Sequence, residues 1–104
     1  MTTKNMNMSL EDAAALVRDG DQVVMSATMD WAPMAFLRQL VRQGTGGLRL
    51  VGIVGGNINF DLPIGAGIVA SADSCSVGLE PFSRNAPNFV RHVTRGRIRM
   101  LDNT

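Results

Sequence analysis

The chain has 104 residues, 45% hydrophobic and 18% charged, and its net charge is +1. That length fits one modest domain, and that composition is globular, not disordered. So small a charge excludes the broad positive field of a nucleic-acid or membrane-surface binder, and no apolar run approaches the roughly 18 residues of a membrane span.

Residues 1–8 form a polar tail with no apolar core of a secretory signal. The domain then runs over residues 9–104. Ser9-Leu10-Glu11-Asp12 has the form of a capping box, so a helix is predicted over about 10–18, stopped by Gly20. Gln22 to Ala27, around Val23-Val24-Met25, reads as a buried strand. Pro33 opens a second helix whose apolar stripe is Met34, Leu37, Leu40 and Val41. Gly44, Gly46 and Gly47 end it. A strand over Leu48–Val54 follows, then a loop at Gly55-Gly56-Asn57, then a short helix over Asp61–Gly67 with Pro63 near its start. Ala72–Val77 is the third predicted strand, ended by Gly78. Asn85-Ala86-Pro87 starts a helix carrying Phe89, Val90 and Val93, and Ile98–Leu101 is the fourth strand.

Helices alternating with short apolar strands predict an α/β fold with a mainly parallel sheet and crossover helices. Ligands of such sheets bind at the carboxyl ends of the strands. Those ends fall at Ser26–Trp31, Gly55–Asn59 and Gly78–Arg84. The candidate ligand-facing residues are therefore Ser26, Ala27, Thr28, Asn57, Gly78 and Glu80, with Trp31 and Arg84 nearby. Glu80 can serve as nucleophile, base or hydrogen-bonding scaffold; the sole tryptophan, Trp31, can cap the core or line a pocket. The sequence stops after the fourth strand, so an incomplete domain, or one completed by a partner or by self-association, is expected.

Other motifs carry less. Gly65-Ala66-Gly67-Ile68-Val69-Ala70 has the form G-x-G-x-x-A, but neither a buried strand before it nor an acidic residue in 85–88 supports a dinucleotide site, so it reads as a turn into a strand. His92 is the only histidine and Cys75 the only cysteine, too few for a zinc site. His92 reads as a surface or packing residue. One thiol suits a reducing cytoplasm. Strand alternation would put Arg95, Arg97 and Arg99 on one solvated face.

The order and spacing of several segments together resemble the alpha subunits of glutaconate-type class I coenzyme A transferases. These segments are Ser9–Ala13, Asp19-Gly20-Asp21, Ala32–Ala35, Leu48–Gly52, Ile64–Gly67, Val77–Glu80, Ala86–Arg91 and Gly96-Arg97-Ile98. The resemblance implies a CoA-transferase-like fold, a coenzyme A thioester as substrate, no permanently bound cofactor and a beta-subunit partner. It also implies that a glutamate of the beta subunit attacks the acyl-CoA, giving a mixed anhydride and then a glutamyl-CoA thioester. Glu80 matches an alpha-subunit position, so the nucleophile is not carried onto it, and the isolated chain is expected to be inactive. Where the family often has Gly-Gly-Phe after the first strand, this chain has Ser26-Ala27-Thr28. Fold relatives that hydrolyse CoA esters, and a non-catalytic role in binding or assembly, are the alternatives.

Overall fold

A computed structural model describes residues 7–26, 32–53, 55–79 and 81–101. Four strands and four helices alternate along it. They are α1 (Leu10–Ala15), β1 (Gln22–Ser26), α2 (Met34–Arg42), β2 (Leu48–Ile53), α3 (Ile58–Gly65), β3 (Val69–Asp73), α4 (Pro87–Thr94) and β4 (Arg99–Leu101). The strands form one all-parallel sheet in the order β1-β2-β3-β4. The predicted α/β fold with crossover helices is therefore the observed one.

A parallel sheet whose strand order advances steadily needs right-handed crossovers, and these place every connecting helix on the same side. The helices accordingly pack in series, α1 on α2, α2 on α3 and α3 on α4. Side chains show the same asymmetry. The row Val23, Leu50, Ala72 and Met100, matched across the strands by register, points into the helical layer. Leu37, Leu40, Leu48, Leu50, Phe60 and Ile64 are completely buried between sheet and helices. Each such side chain contributes about 1.5–3 kcal/mol by leaving water.

Local chemistry sets the ends of the elements. The Ser9 hydroxyl accepts a hydrogen bond from the Asp12 amide, capping α1 as expected. The helix ends at Ala15, earlier than predicted. The Leu16 and Val17 amides turn back three residues, to Ala13 and Ala14, and the Arg18 amide is taken by the Asp21 carboxylate. Helix α3 starts three residues earlier than predicted because the Asn57 side chain accepts from the Ile58 amide, which leaves Pro63 inside the helix and not near its start.

Strand β3 differs most. It covers Val69–Asp73, not 72–77. Ser74 is fully buried and donates its hydroxyl to the Ser76 carbonyl at 2.8 Å, closing a turn where the strand was expected to continue. Arg95 and Arg97 lie in the turn after α4 and only Arg99 is in a strand, so the three arginines do not share a strand face. His92 is a packing residue, 6% exposed on α4. Burial in that apolar setting, then the positive charges of Arg91, Arg97 and Arg95, lower its pKa from 6.5 against an opposing pull from Asp61.

Candidate functional site

Because all strands run the same way, their carboxyl ends share one edge of the sheet. Ser26 ends β1 there and is exposed. Its carbonyl accepts a hydrogen bond at 2.8 Å from the side chain of Asn59, a fully buried residue on α3. The Asn59 side-chain oxygen in turn accepts from the Asn57 amide at 2.9 Å. One buried amide thus pins the end of β1 to the loop after β2, and the two cannot drift apart without breaking a desolvated bond.

A second brace ties the loops after β2 and β3. The Gly56 amide donates to the Ser76 carbonyl at 2.7 Å, and the Gly78 amide donates to the Gly56 carbonyl at 3.1 Å. Both glycines are required by space. A Cβ on Gly56 would lie 2.7 Å from the Phe60 ring, and one on Gly78 would lie 2.6 Å from the Arg84 carbonyl. Gly78 therefore lets the backbone of Ser83 and Arg84 pass close beside it. The 79–84 segment closes on itself, Leu79 and Ser83 exchanging backbone bonds at 3.0 and 2.9 Å.

Of the residues singled out in the sequence, the structure brings Ser26, Asn57, Gly78 and Arg84 to this common edge. Asn57 is half-buried and uses its side-chain oxygen to cap α3. Arg84 is exposed. Ala27, Thr28, Trp31 and Glu80 lie outside the described residues.

Beside Asn57 and Gly78 an open cavity of about 310 Å³ lies between α3 and α4, walled by Ile58, Leu62, Gly65 and Leu79. Its polar end is Asp61 and Asn88. Asp61 is 5% exposed, and both its oxygens are used: one accepts from the Phe89 amide at 2.8 Å, the other from the Asn88 side chain at 3.1 Å. This carboxylate satisfies one open backbone amide at the start of α4, that of Phe89, and suits the positive end of the helix dipole. Among the described residues no group of three or more His, Cys, Asp or Glu side chains is placed to hold a metal, and no helix is long and apolar enough to cross a membrane.

Three polar residues were not singled out by sequence reasoning. Asn59 and Asp61 would have emerged had α3 been started at Ile58, since both then fall among the buried positions of an apolar helix. Asp73 would have emerged with β3 in its observed place, because it is the last residue of that strand. One of its carboxylate oxygens is buried and has no hydrogen-bond partner among the described residues.

No family model matches the chain, and no curated protein matches it. Among solved structures it is similar to glutaconate coenzyme A-transferase from Acidaminococcus fermentans, with a TM-score of 0.78 and 25% sequence identity. That similarity covers 93% of this chain and 31% of the transferase chain. It is also similar to a cysteine-to-serine variant of the decarboxylase AibA/AibB, with a TM-score of 0.80 and 22% identity, over 93% of this chain and 38% of the other. The fold is CoA-transferase-like, as the resemblance in the sequence implied, and the chain spans about a third of the length of the solved chains it matches.

Proposed function

We propose that the chain is the alpha-type part of an acyl-CoA:carboxylate CoA-transferase, and that it helps form the acyl-CoA site while a beta partner carries the catalytic glutamate. The observation that supports this most is the likeness to glutaconate coenzyme A-transferase over 93% of the chain, at 25% identity. In this reading Ser26, Ala27, Thr28 and Asn57 receive the thioester end of the substrate. Small side chains there let a ligand approach the backbone, and loop amides are suited to an acyl oxygen that gains negative charge during attack. The cavity walled by Ile58, Leu62 and Leu79 is of a size and character to take an aliphatic acyl group. Arg84 is exposed and offers charge to the phosphates of coenzyme A. Gly78 and Glu80 shape the loop that presents Arg84, and Trp31 lines the acyl pocket.

The partner's carboxylate attacks the thioester carbonyl, the thiolate of coenzyme A leaves, and a mixed anhydride forms. The thiolate then attacks the glutamyl carbonyl of the anhydride, releasing the first acid and giving a glutamyl-CoA thioester. A second carboxylate repeats these steps in reverse. Each step exchanges one acyl bond for another, so no oxidant or permanently bound cofactor is called for. The isolated chain is inactive in this reading, and it acts as a soluble cytoplasmic protein in complex with that partner or with a second copy of itself.

A second reading is a subunit of a CoA-ester hydrolase or decarboxylase. It is favoured by Ser26-Ala27-Thr28 standing where transferases often have Gly-Gly-Phe, and by the likeness to a decarboxylase.

The test uses Trp31, the only tryptophan, as reporter. Titration of the chain with butyryl-CoA should change its fluorescence saturably, and Arg84→Ala should weaken that binding at least about fivefold, as loss of a charge-assisted phosphate contact does. No saturable change, confirmed by the absence of heat in calorimetry, would overturn the reading. Adding a beta-type chain and following acyl exchange, free acid and released carbon dioxide side by side separates transferase from hydrolase and decarboxylase.

A further inference from the structure

The cavity between α3 and α4 has one charged wall residue among the described residues, and it is a carboxylate. Ile58, Leu62 and Leu79 are aliphatic, Gly65 has no side chain, and Asn88 and Asp61 form the polar end. Asp61 is not free to turn away. It is 5% exposed, with one oxygen held by the Phe89 amide at 2.8 Å and the other by the Asn88 side chain at 3.1 Å. Asn88 is fixed in turn. Its oxygen accepts from the Arg91 guanidinium at 2.5 Å, which leaves its NH2 group toward Asp61. Its amide also lies against Gly65, where a Cβ would come within 2.6 Å of it. No cation faces Asp61 from the cavity wall among the described residues. Arg91 is not a wall residue, and Arg38 and Arg42 line a separate cavity with Val41, Leu62 and Ala66.

We infer that this cavity selects acyl groups that carry no second carboxylate, and that Asp61 is the residue that rejects dicarboxylic acyl groups. The inference rests on the acyl-CoA reading above and narrows its substrate class. The tail of a monocarboxylic acyl group is aliphatic and gains by leaving water for Ile58, Leu62 and Leu79. A dicarboxylic tail brings a second negative charge to the end of the cavity that already holds one. Two like charges in one site disfavour each other. The incoming carboxylate also gives up water with no cation on the wall to replace it. Discrimination of this kind works through an unfavourable contact with the wrong ligand and not through an extra bond to the right one. The fixed amide of Asn88 and the Phe89 amide keep the Asp61 charge at that end whichever ligand enters.

Calorimetric titration of the chain with valeryl-CoA and with glutaryl-CoA tests this. The two acyl groups have equal numbers of carbons and differ in a terminal methyl against a terminal carboxylate, and the coenzyme is common to both. Valeryl-CoA should bind at least about tenfold more tightly. Part of that ratio belongs to the aliphatic walls, so Asp61→Asn isolates the charge. It keeps an oxygen for the Phe89 amide and should shrink the ratio at least about threefold. Ile58→Lys is an independent variant. Ile58 is 37% exposed and stands three residues before Asp61 on α3, so a lysine there sets a cation on the same helix face without entering the core. It should shrink the ratio by a similar factor. Equal binding of the two thioesters, or a ratio that neither variant changes, overturns the inference and leaves the acyl-CoA reading standing. Binding of neither thioester overturns that reading and the inference with it.

Discussion

Replacing Asn59 by leucine removes a side chain that joins the end of β1 to the loop after β2. Two hydrogen bonds disappear, the 2.8 Å bond to the Ser26 carbonyl and the 2.9 Å bond from the Asn57 amide. Each such bond is worth about 1 kcal/mol net, and the backbone partner left behind adds part of its desolvation cost where water cannot reach it. Leucine is close in volume and tolerates the apolar surroundings, so no large cavity offsets or adds to the loss. The sum is a destabilisation of roughly 2–4 kcal/mol, read as a lower urea midpoint at unchanged slope. Asn59→Asp sharpens the test. The acceptor for Asn57 is kept, but an oxygen now faces the Ser26 carbonyl. At neutral pH a buried carboxylate stands there unpaired, and the loss should equal or exceed that of leucine. In acid the protonated group can donate to Ser26, and the gap to the wild type should narrow. If Asn59→Leu costs under about 1 kcal/mol, or Asn59→Asp matches the wild type at neutral pH, the brace does not hold the strand ends as argued.

Gly56→Ala drives a methyl to within 2.7 Å of the buried Phe60 ring and should cost about 1–3 kcal/mol in the same denaturation assay. Asp61→Ala frees the Phe89 amide and the Asn88 side chain, and should cost about 1.5–3 kcal/mol while raising the hydrogen-exchange rate of the Phe89 amide above that of the sheet. His92 makes stability fall on acidification. Its pKa in the fold lies below 6.5, so the unfolded chain takes up a proton first; the neutral-side contribution is complete above about 6.5 and is lost as pH drops toward the lower folded value. Thermal melts between pH 7.5 and 5 should therefore slope less in His92→Gln than in the wild type.

Much of the fold was legible because each crossover needs its own local signals. Ser9 with Asp12, Pro87 after Ala86, and the glycines at 20, 44, 47 and 96, all with positive φ, mark helix ends whatever the rest of the chain does. Misplacement came where tertiary bonds decided. Nothing local in Ala72–Val77 announces that Ser74 will be buried and turn its hydroxyl onto Ser76. Nothing local in Ile58-Asn59-Phe60 announces that the asparagine side chain will reach Ser26, 33 residues away. Both are choices between a regular backbone bond and a side-chain bond of similar strength, and the surrounding packing breaks the tie.

The same competition explains what was legible of the site. The carboxyl-end rule depends only on strand direction, so it located Ser26, Asn57, Gly78 and Arg84 on one edge without knowledge of a single contact. It could not reveal that Asn57 spends its oxygen on capping α3, or that Gly78 is glycine because the Arg84 carbonyl passes 2.6 Å from where a Cβ would stand. Asp73 was hidden by a shift of the predicted strand. With 72–77 as the strand, Asp73 is an early residue far from the carboxyl end; with Val69–Asp73, it is the last residue and, by register with Val24, Val51 and Leu101, faces away from the helices. The periodicity of a five-residue strand cannot distinguish these placements when small residues, Ala70, Ser71, Ala72 and Ser74, occupy both faces. What distinguishes them is which side of the sheet is covered, a property of the assembled domain. The face that Asp73 occupies is the one that the helices leave bare.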